Sequence, residues 1–483
     1  MATAEQQHVA WRKLVPYLYD WFASHSLFWP SLACRWGPVL ERGPQSNKQR
    51  LYLSEQTDGS EPNRIVLVNV DVVHPRVAAA DHLQGFSEHG RSPHVGMPLK
   101  TLVHPGEVNR MREVPLHPHV LVTHTDSPSL YVWNTDTQPD RTGSTSSKQQ
   151  SVADLVLEGH TEDAKFAVDV SSSAPLVASG GDDTKVLVWD LDSHSTSLAV
   201  SSTASSGPGA STHLDPLHTL SGHSNTVEDV CWCPGSSFEL ASVGDDYSLL
   251  LWDTRRGGAP VLHVASVHGP QDVHCVAWSP HQQEMLVTGA ADGSLKLWDR
   301  RKPDSPLFAF HHHDAAVTVV EWSPQQSGIF ASAGEDRLLC VWDLQAKATD
   351  PESVAAKRQR SAIPPQMMFQ HAGHRAPVVD FQWNPADPWT FFSVADEAGE
   401  GGGGTLQLWR VSDLIYRTDD EVLAELEQYR YVLLVALAHY ALGPPCICCL
   451  RLQVKPVTNS RLTLNLQGVH HHRPSVGVAW ATV

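Results

Sequence analysis

Cysteine is scarce: there are 8 in 483 residues, at irregular positions. No disulfide framework organises such a chain, and a reducing compartment is expected. Positive charge is also short. Lys and Arg number 35 against 53 Asp and Glu, a formal net charge of −18. Phosphate attraction needs a basic field, so a general nucleic-acid binder is excluded, and cationic partners such as Lys/Arg-rich peptides are favoured. The opening "MATAEQQHVAWRK" has no apolar run, so no secretory signal is expected. No glycine loop stands at a strand–helix junction to cradle phosphate; the glycines within Glu397–Thr405 read as an insertion in a strand-rich unit. His311–His313, His470–His472 and Cys446–Cys449 lack the spaced partners of a zinc site. No catalytic group, metal or cofactor is expected. An interaction scaffold is what remains.

What the chain has in plenty is one repeated strand ending. "VLVWD" closes at Asp190, "LLLWD" at Asp253, "LKLWD" at Asp299 and "LCVWD" at Asp343. Each unit opens near a Gly-His or similar pair: Gly159-His160, Gly222-His223, His268 and His312. Each also places an Asp six residues before its Trp, at Asp183, Asp246, Asp292 and Asp336. That spacing fits a polar turn followed by an alternating strand, with the Asp bonding the His and Trp of its own unit. Two degenerate copies flank the four, from "HPGEVNRM" to Trp133 and from Gly373-His374 to Trp409. Units of this length and pattern look like WD repeats, the blades of a β-propeller. A seventh set of strands reads from "SLACRW", "RLYLSEQT", "RIVLVNVDVV" and "LKTLV".

The expected fold is therefore all-β: a seven-bladed WD-repeat propeller with an N-terminal amphipathic helix and a short C-terminal helix. Pairing of the chain ends would close the ring and remove exposed strand edges. The expected boundaries are 1–30 for the N-terminal helix, 31–410 for the propeller, 411–428 for the second helix and 429–483 for a divergent tail. The N-terminal stripe is Trp11, Leu14, Val15, Leu18 and Phe22, with Pro16 in the first turn or at a kink. "TGSTSSKQQS" and "STSLAVSSTASSGPGAST" read as Ser-rich loops. In the tail, "YVLLVALAHYALGPPCICCL" is about as long as a membrane span, but Gly443-Pro444-Pro445 breaks it, so an extension rather than an anchor is expected.

From about His8 to Gln428 the chain resembles the retinoblastoma-associated, histone-binding WD-repeat proteins, the RbAp/MSI family. The resemblance rests on "YDWFASHSLFWPSL", "QRLYLSEQTDG", "HPGEVNRMREVP" and the repeat units. "WRKLVPYLYDW", "CRWGPVLE", "DVVHPRVAAADH" and "SDLIYR" look most like its plant flowering-time (FVE-like) branch. The resemblance implies a nuclear, non-catalytic subunit that brings histone deacetylase, Polycomb-type, chromatin-assembly and remodelling complexes to arginine-rich core histones, with a retinoblastoma-related protein as a further partner.

Two histone surfaces follow from the resemblance. At the propeller mouth, Glu107, Asn109, Asp163 and Glu228 occupy tail-contact positions, Asp272 adds a further loop carboxylate, and Ala316 stands where one contact is missing. Converging carboxylates suit Arg and Lys through charge-assisted bonds. The second surface is a groove for a histone helix between Trp11, Leu14, Leu18 and Phe22 and the turn at Pro364-Pro365. The loop before it carries Lys357, Arg358 and Arg360, basic where the family is acidic; it reads as a nuclear-import signal or a solvated loop. The alternative function is a cullin ubiquitin-ligase substrate receptor. "WDTRR" at Trp252–Arg256 resembles the Trp-Asp-x-Arg box that docks a ligase adaptor, with Trp252, Asp253 and a free Arg255, and "WDRR" ending at Arg301 is a second candidate.

Overall fold

A computed structural model describes residues 4–75, 90–142, 150–164, 166–192, 211–346, 364–397, 403–417 and six residues between 420 and 427. Lys357, Arg358 and Arg360, the tail after Gln428 and most of both Ser-rich loops lie outside the described residues.

Short alternating strands assemble into seven sheets, each with four antiparallel strands. The first blade comprises Cys34–Arg42, Ser46–Glu55, Arg64–Val73 and Lys100–Val103. The fourth shows the repeat cleanly: Val227–Trp232, Glu239–Gly244, Leu249–Asp253 and Leu262–Val264, counted from the channel outward. The seventh joins Val378–Trp383, Thr390–Glu397 and Gly403–Val411 to Tyr19–Ser26 from the other end of the chain. Its closing pairs run from Tyr19 opposite Val411 to Ser26 opposite Thr405. The second blade carries an additional strand, Thr212–Leu214, paired in parallel with Leu155–Leu157.

The N-terminal helix is Ala4–Leu18, shorter than the 1–30 expected, and Phe22 lies in the closing strand rather than on the helix. Pro16 sits two residues from the helix end, not in the first turn. A missing N–H costs little there, because the helix has only two residues still to run. The four-residue helix Asp413–Tyr416 follows the last strand. Residues 417–483 form a separate unit.

The repeated His, Asp and Trp build one device per blade, with a Ser or Thr at its centre that the repeat signature does not reveal. In the fourth blade Asp246 accepts from His223 Nδ1 (3.0 Å), and Ser242 Oγ meets His223 Nε2 (2.7 Å) and the Trp252 indole N–H (2.8 Å). The Asp thus bonds the His but not the Trp. The sixth blade repeats this with His313, Asp336, Ser332 and Trp342, so His313, not His312, opens that unit. In the fifth, Ser294 bridges Asp292 and His268. In the third, Trp189 donates to the Glu158 carbonyl instead. Each device satisfies polar groups inside an otherwise apolar blade, where an orphan costs about 1–3 kcal/mol.

Neighbouring blades are tied around the channel by side chains of the inner strands. Asp169 accepts from the Trp232 N–H (2.7 Å), Asp229 from Val276 (3.0 Å), Glu321 from Trp383 (2.9 Å) and Asp380 from Cys34 (2.9 Å). Buried Arg35 lies 3.8 Å from both Glu113 and Glu321. Arg110 lies 3.7 Å from Asp380. Burial pushes Asp229 up to about 6, Asp169 to about 7 and Glu321 to about 8.

Candidate functional site

Strand register separates the two ends of the propeller. Val227 pairs with Gly244 at one end of the fourth blade, and Trp232, Leu240 and Trp252 align toward the other. The loops entering each inner strand and the turns between second and third strands therefore share one face, the mouth. The Trp-Asp endings lie on the opposite face.

At the mouth, Glu228 owes its position to a β-bulge. Val227 faces Gly244 and Asp229 faces Val243, which leaves Glu228 as the extra residue. Bulges re-aim a side chain. His274 and Thr318 occupy the same place in the fifth and sixth blades. Glu228 is half-buried, and burial followed by the charges of Asp245, Asp182 and Asp229 pushes it up to about 7. Asp245 is also raised, first by burial and then by Asp272. The carboxylates thus repel one another across the mouth, and a bound cation would relieve them.

A second set of backbone bonds explains the remaining acids. The N–H groups of Asp182, Asp245, Ala291 and Glu335 donate to the carbonyls of Asp163, Thr226, Asp272 and Ala316. Each of the third to sixth blades thus offers two facing positions, one on the entry loop and one on the turn, and at least one is acidic. Where Ala316 removes the carboxylate expected from the loop, exposed Glu335 supplies one from the turn. Asp182, Asp245 and Glu335 are not among the sequence-based candidates; each directly precedes the Asp of its own repeat and is hidden in that signature. In the second blade Glu107 accepts from the Gln56 amide (3.0 Å), and Asn109 is buried, with its N–H donating to the His124 carbonyl. Glu107 also walls a depression of about 580 Å³ with Asp58, Glu61 and His104.

The helix stripe divides. Trp11 and Val15 are buried and Leu18 is half-buried, but Leu14 is 50 % exposed and does not share their face, and Tyr17 beside it is 73 % exposed. Trp11 donates to the Tyr19 hydroxyl (2.9 Å), which lies 2.6 Å from His371 Nδ1. His371 ends the strand Met367–His371, which Pro364 and Pro365 lead into. Helix and Pro-Pro turn are thereby anchored to the same strand, and Phe22 is buried in the core behind them.

On the opposite face, Arg255 is not free. Its guanidinium forks onto Asp253 (2.9 and 2.8 Å) and lies 3.4 Å from the Phe238 ring centroid. Arg301 repeats the fork on Asp299. Both Arg side chains remain about 60 % exposed, at 60 % and 63 %. Trp252 is buried inside the blade, so it can support Asp253 but offers no docking surface.

A family profile described as that of the histone-binding protein RBBP4, a component of the CAF1 complex, matches residues 6–74. The WD domain, G-beta repeat, matches residues 152–190, 214–253, 261–299 and 304–343. The chain is 47 % identical over 445 residues to the WD-40 repeat-containing protein MSI4 of Arabidopsis thaliana, covering 89 % of this chain and 86 % of that one. It is 30 % identical over 421 residues to the WD-40 repeat-containing protein MSI3 of the same plant, covering 86 % and 92 %. With a helix, a closing strand and seven blades in this order, and with identity at that level over nearly its whole propeller, the chain belongs to the RbAp/MSI family of WD-repeat proteins.

Proposed function

We propose that this protein is a non-catalytic, nuclear scaffold that holds an arginine- and lysine-rich histone tail over the mouth of its propeller. It would present histones to histone deacetylase and Polycomb-type complexes, together with a retinoblastoma-related protein, and so repress transcription, including the genes that set flowering time. The observation that carries the reading is the mutual repulsion of Glu228, Asp245 and Asp272. A guanidinium or ammonium group entering there converts that repulsion into paired, charge-assisted bonds.

The reading makes tail binding depend on pH. Glu228 is pushed up to about 7, so it is mostly protonated at pH 6 and mostly ionised at pH 8. A cation pairs only with the ionised form, so affinity should rise as pH climbs through 7 and level off above it. Stability of the free protein should move the other way. A carboxyl raised on folding contributes stability that is present at low pH and lost as pH rises through its folded value. Calorimetric titration of an unmodified histone-tail peptide at pH 6, 7 and 8 checks this, with Glu228→Gln expected to flatten the profile. A profile that stays steep in Glu228→Gln would assign the proton elsewhere.

A second reading is favoured by the two exposed guanidinium forks on the face opposite the mouth. Through them the protein would dock a cullin ubiquitin-ligase adaptor while still holding a histone. An acidic partner would have to displace Asp253 and Asp299 from Arg255 and Arg301. The double variant Arg255→Ala/Arg301→Ala should lose co-purifying adaptor and keep full tail affinity. Adaptor retained by that variant would end the reading.

A further inference from the structure

The mouth does not stop at Glu107. Beyond Ser26 the chain leaves the seventh blade and runs through Leu27-Phe28-Trp29-Pro30 along the same rim before entering the first blade. Three bonds fix this run. The Leu27 N–H donates to the Gly404 carbonyl (2.8 Å), and the Gln56 N–H donates to the Pro30 carbonyl (2.9 Å). The Gln56 side-chain amide then donates to Glu107 (3.0 Å). Phe28 therefore sits two residues from a carbonyl that one glutamine links to a mouth carboxylate.

Phe28 is 75 % exposed, the highest value among the described large apolar side chains. Burying a phenylalanine would contribute about 1.5–3 kcal/mol, which the fold leaves unused. Its ring stands edge to face with Trp29, centroids 5.2 Å apart at 87°. The depression alongside is walled by the carboxylates of Asp58, Glu61 and Glu107 and by Thr57, Pro62 and His104. Burial pushes His104 down to about 4, so it is neutral and leaves the wall negative.

We infer that the Phe28–Trp29 pair and this depression form a second cation subsite, which takes an Arg or Lys side chain of the same basic tail beyond the segment held in the mouth. The inference rests on the tail-binding reading above. The carboxylates draw in the charge, and the exposed ring faces cover the guanidinium or ammonium through their negative quadrupole. A purely apolar partner would have to desolvate three carboxylates, which disfavours it. The link through Gln56 makes the subsite continuous with the mouth, so an extended tail reaches both.

The test titrates the full chain with a tail peptide that fills the mouth, and with the same peptide lengthened at either end by Arg-Lys-Arg or by Gln-Asn-Gln. The basic extension at one end should tighten binding by on the order of two- to fivefold, and the neutral one should not. Phe28→Ala should remove that gain without changing affinity for the unextended peptide, and Phe28→Tyr should keep it. Equal gains from both extensions, an undiminished gain in Phe28→Ala, or full retention in Phe28→Leu would each overturn the subsite. Should no tail peptide bind the unsubstituted protein, the mouth reading fails by itself. The subsite is then read with a tetra-arginine peptide on protein carrying fluorinated phenylalanine, the Phe28 resonance being identified by its loss in Phe28→Leu. A resonance that does not shift overturns the subsite as well.

Discussion

Exchanging Glu107 and Glu228 together for lysine is expected to weaken binding of an unmodified histone-tail peptide by on the order of 2–5 kcal/mol. Most of that loss should come from Glu228, which is half-buried on its bulge among Asp182, Asp229 and Asp245. A lysine there replaces an attraction by a like-charge contact in a poorly hydrated site. Glu335 offers the contrast. It is fully on the surface, and Glu335→Lys should cost no more than about 1 kcal/mol, with the effect shrinking as salt rises. Calorimetry on variants whose circular dichroism and melting match the parent checks both. Unchanged affinity in a folded Glu107→Lys/Glu228→Lys protein would remove the mouth as the tail site.

Arg410→Met should destabilise the fold by about 3–5 kcal/mol, the cost of leaving a buried charge without its partner. Arg410 is 2 % exposed and reaches three parts of the chain that are distant in sequence. It pairs with Asp20 on the closing strand (2.9 Å) and with Asp387, and it donates to the Val73 carbonyl of the first blade (2.6 Å). Adding Asp387→Asn should recover part of the loss, because the second change removes the carboxylate that the first left behind. Urea unfolding of the two variants decides this. Equal midpoints for Arg410→Met and the parent would mean the ion pairs contribute nothing to closing the ring.

Much of this architecture is legible in the sequence because a repeat states its own period. The fixed step from Asp to Trp finds four blades, and Gly373-His374 and the "HPGEVNRM" stretch locate two more. What escapes does so for local reasons. "HHH" at His311–His313 offers three candidates for one bond, and only geometry selects His313 for Asp336. Ser242 and Ser332 look like ordinary strand residues until the His and Trp meet on them. Phe22 continues the helical spacing of Trp11, Val15 and Leu18, but pairing with the last strand outweighs that periodicity and extends the chain from Tyr19 onward. Asp253 reads as part of an outward-facing box, whereas its first partner is Arg255 in the same turn. In the mouth, Glu228 is legible as a loop acid, but the bulge that aims it is a matter of register.

The composite seventh blade also dictates an order of events during synthesis. Its fourth strand is made near the start of the chain and its third near the end, with about 380–390 residues separating the paired positions. At typical ribosomal speed that interval lasts roughly 20–80 s. Throughout it, Tyr19, Trp21 and Phe22, which finish as buried residues, have no seventh blade to enter. A nascent chain holding such a strand open is a substrate for chaperones and prone to pairing with a wrong edge. The first six blades can stack as they emerge, but closure waits for Gly403–Val411, a contact of very high sequence separation and correspondingly slow formation. Synthesis that halts before this strand does not yield a propeller one blade smaller. It yields an open ring with two unmatched edges, so quality control of this protein turns on its last propeller strand.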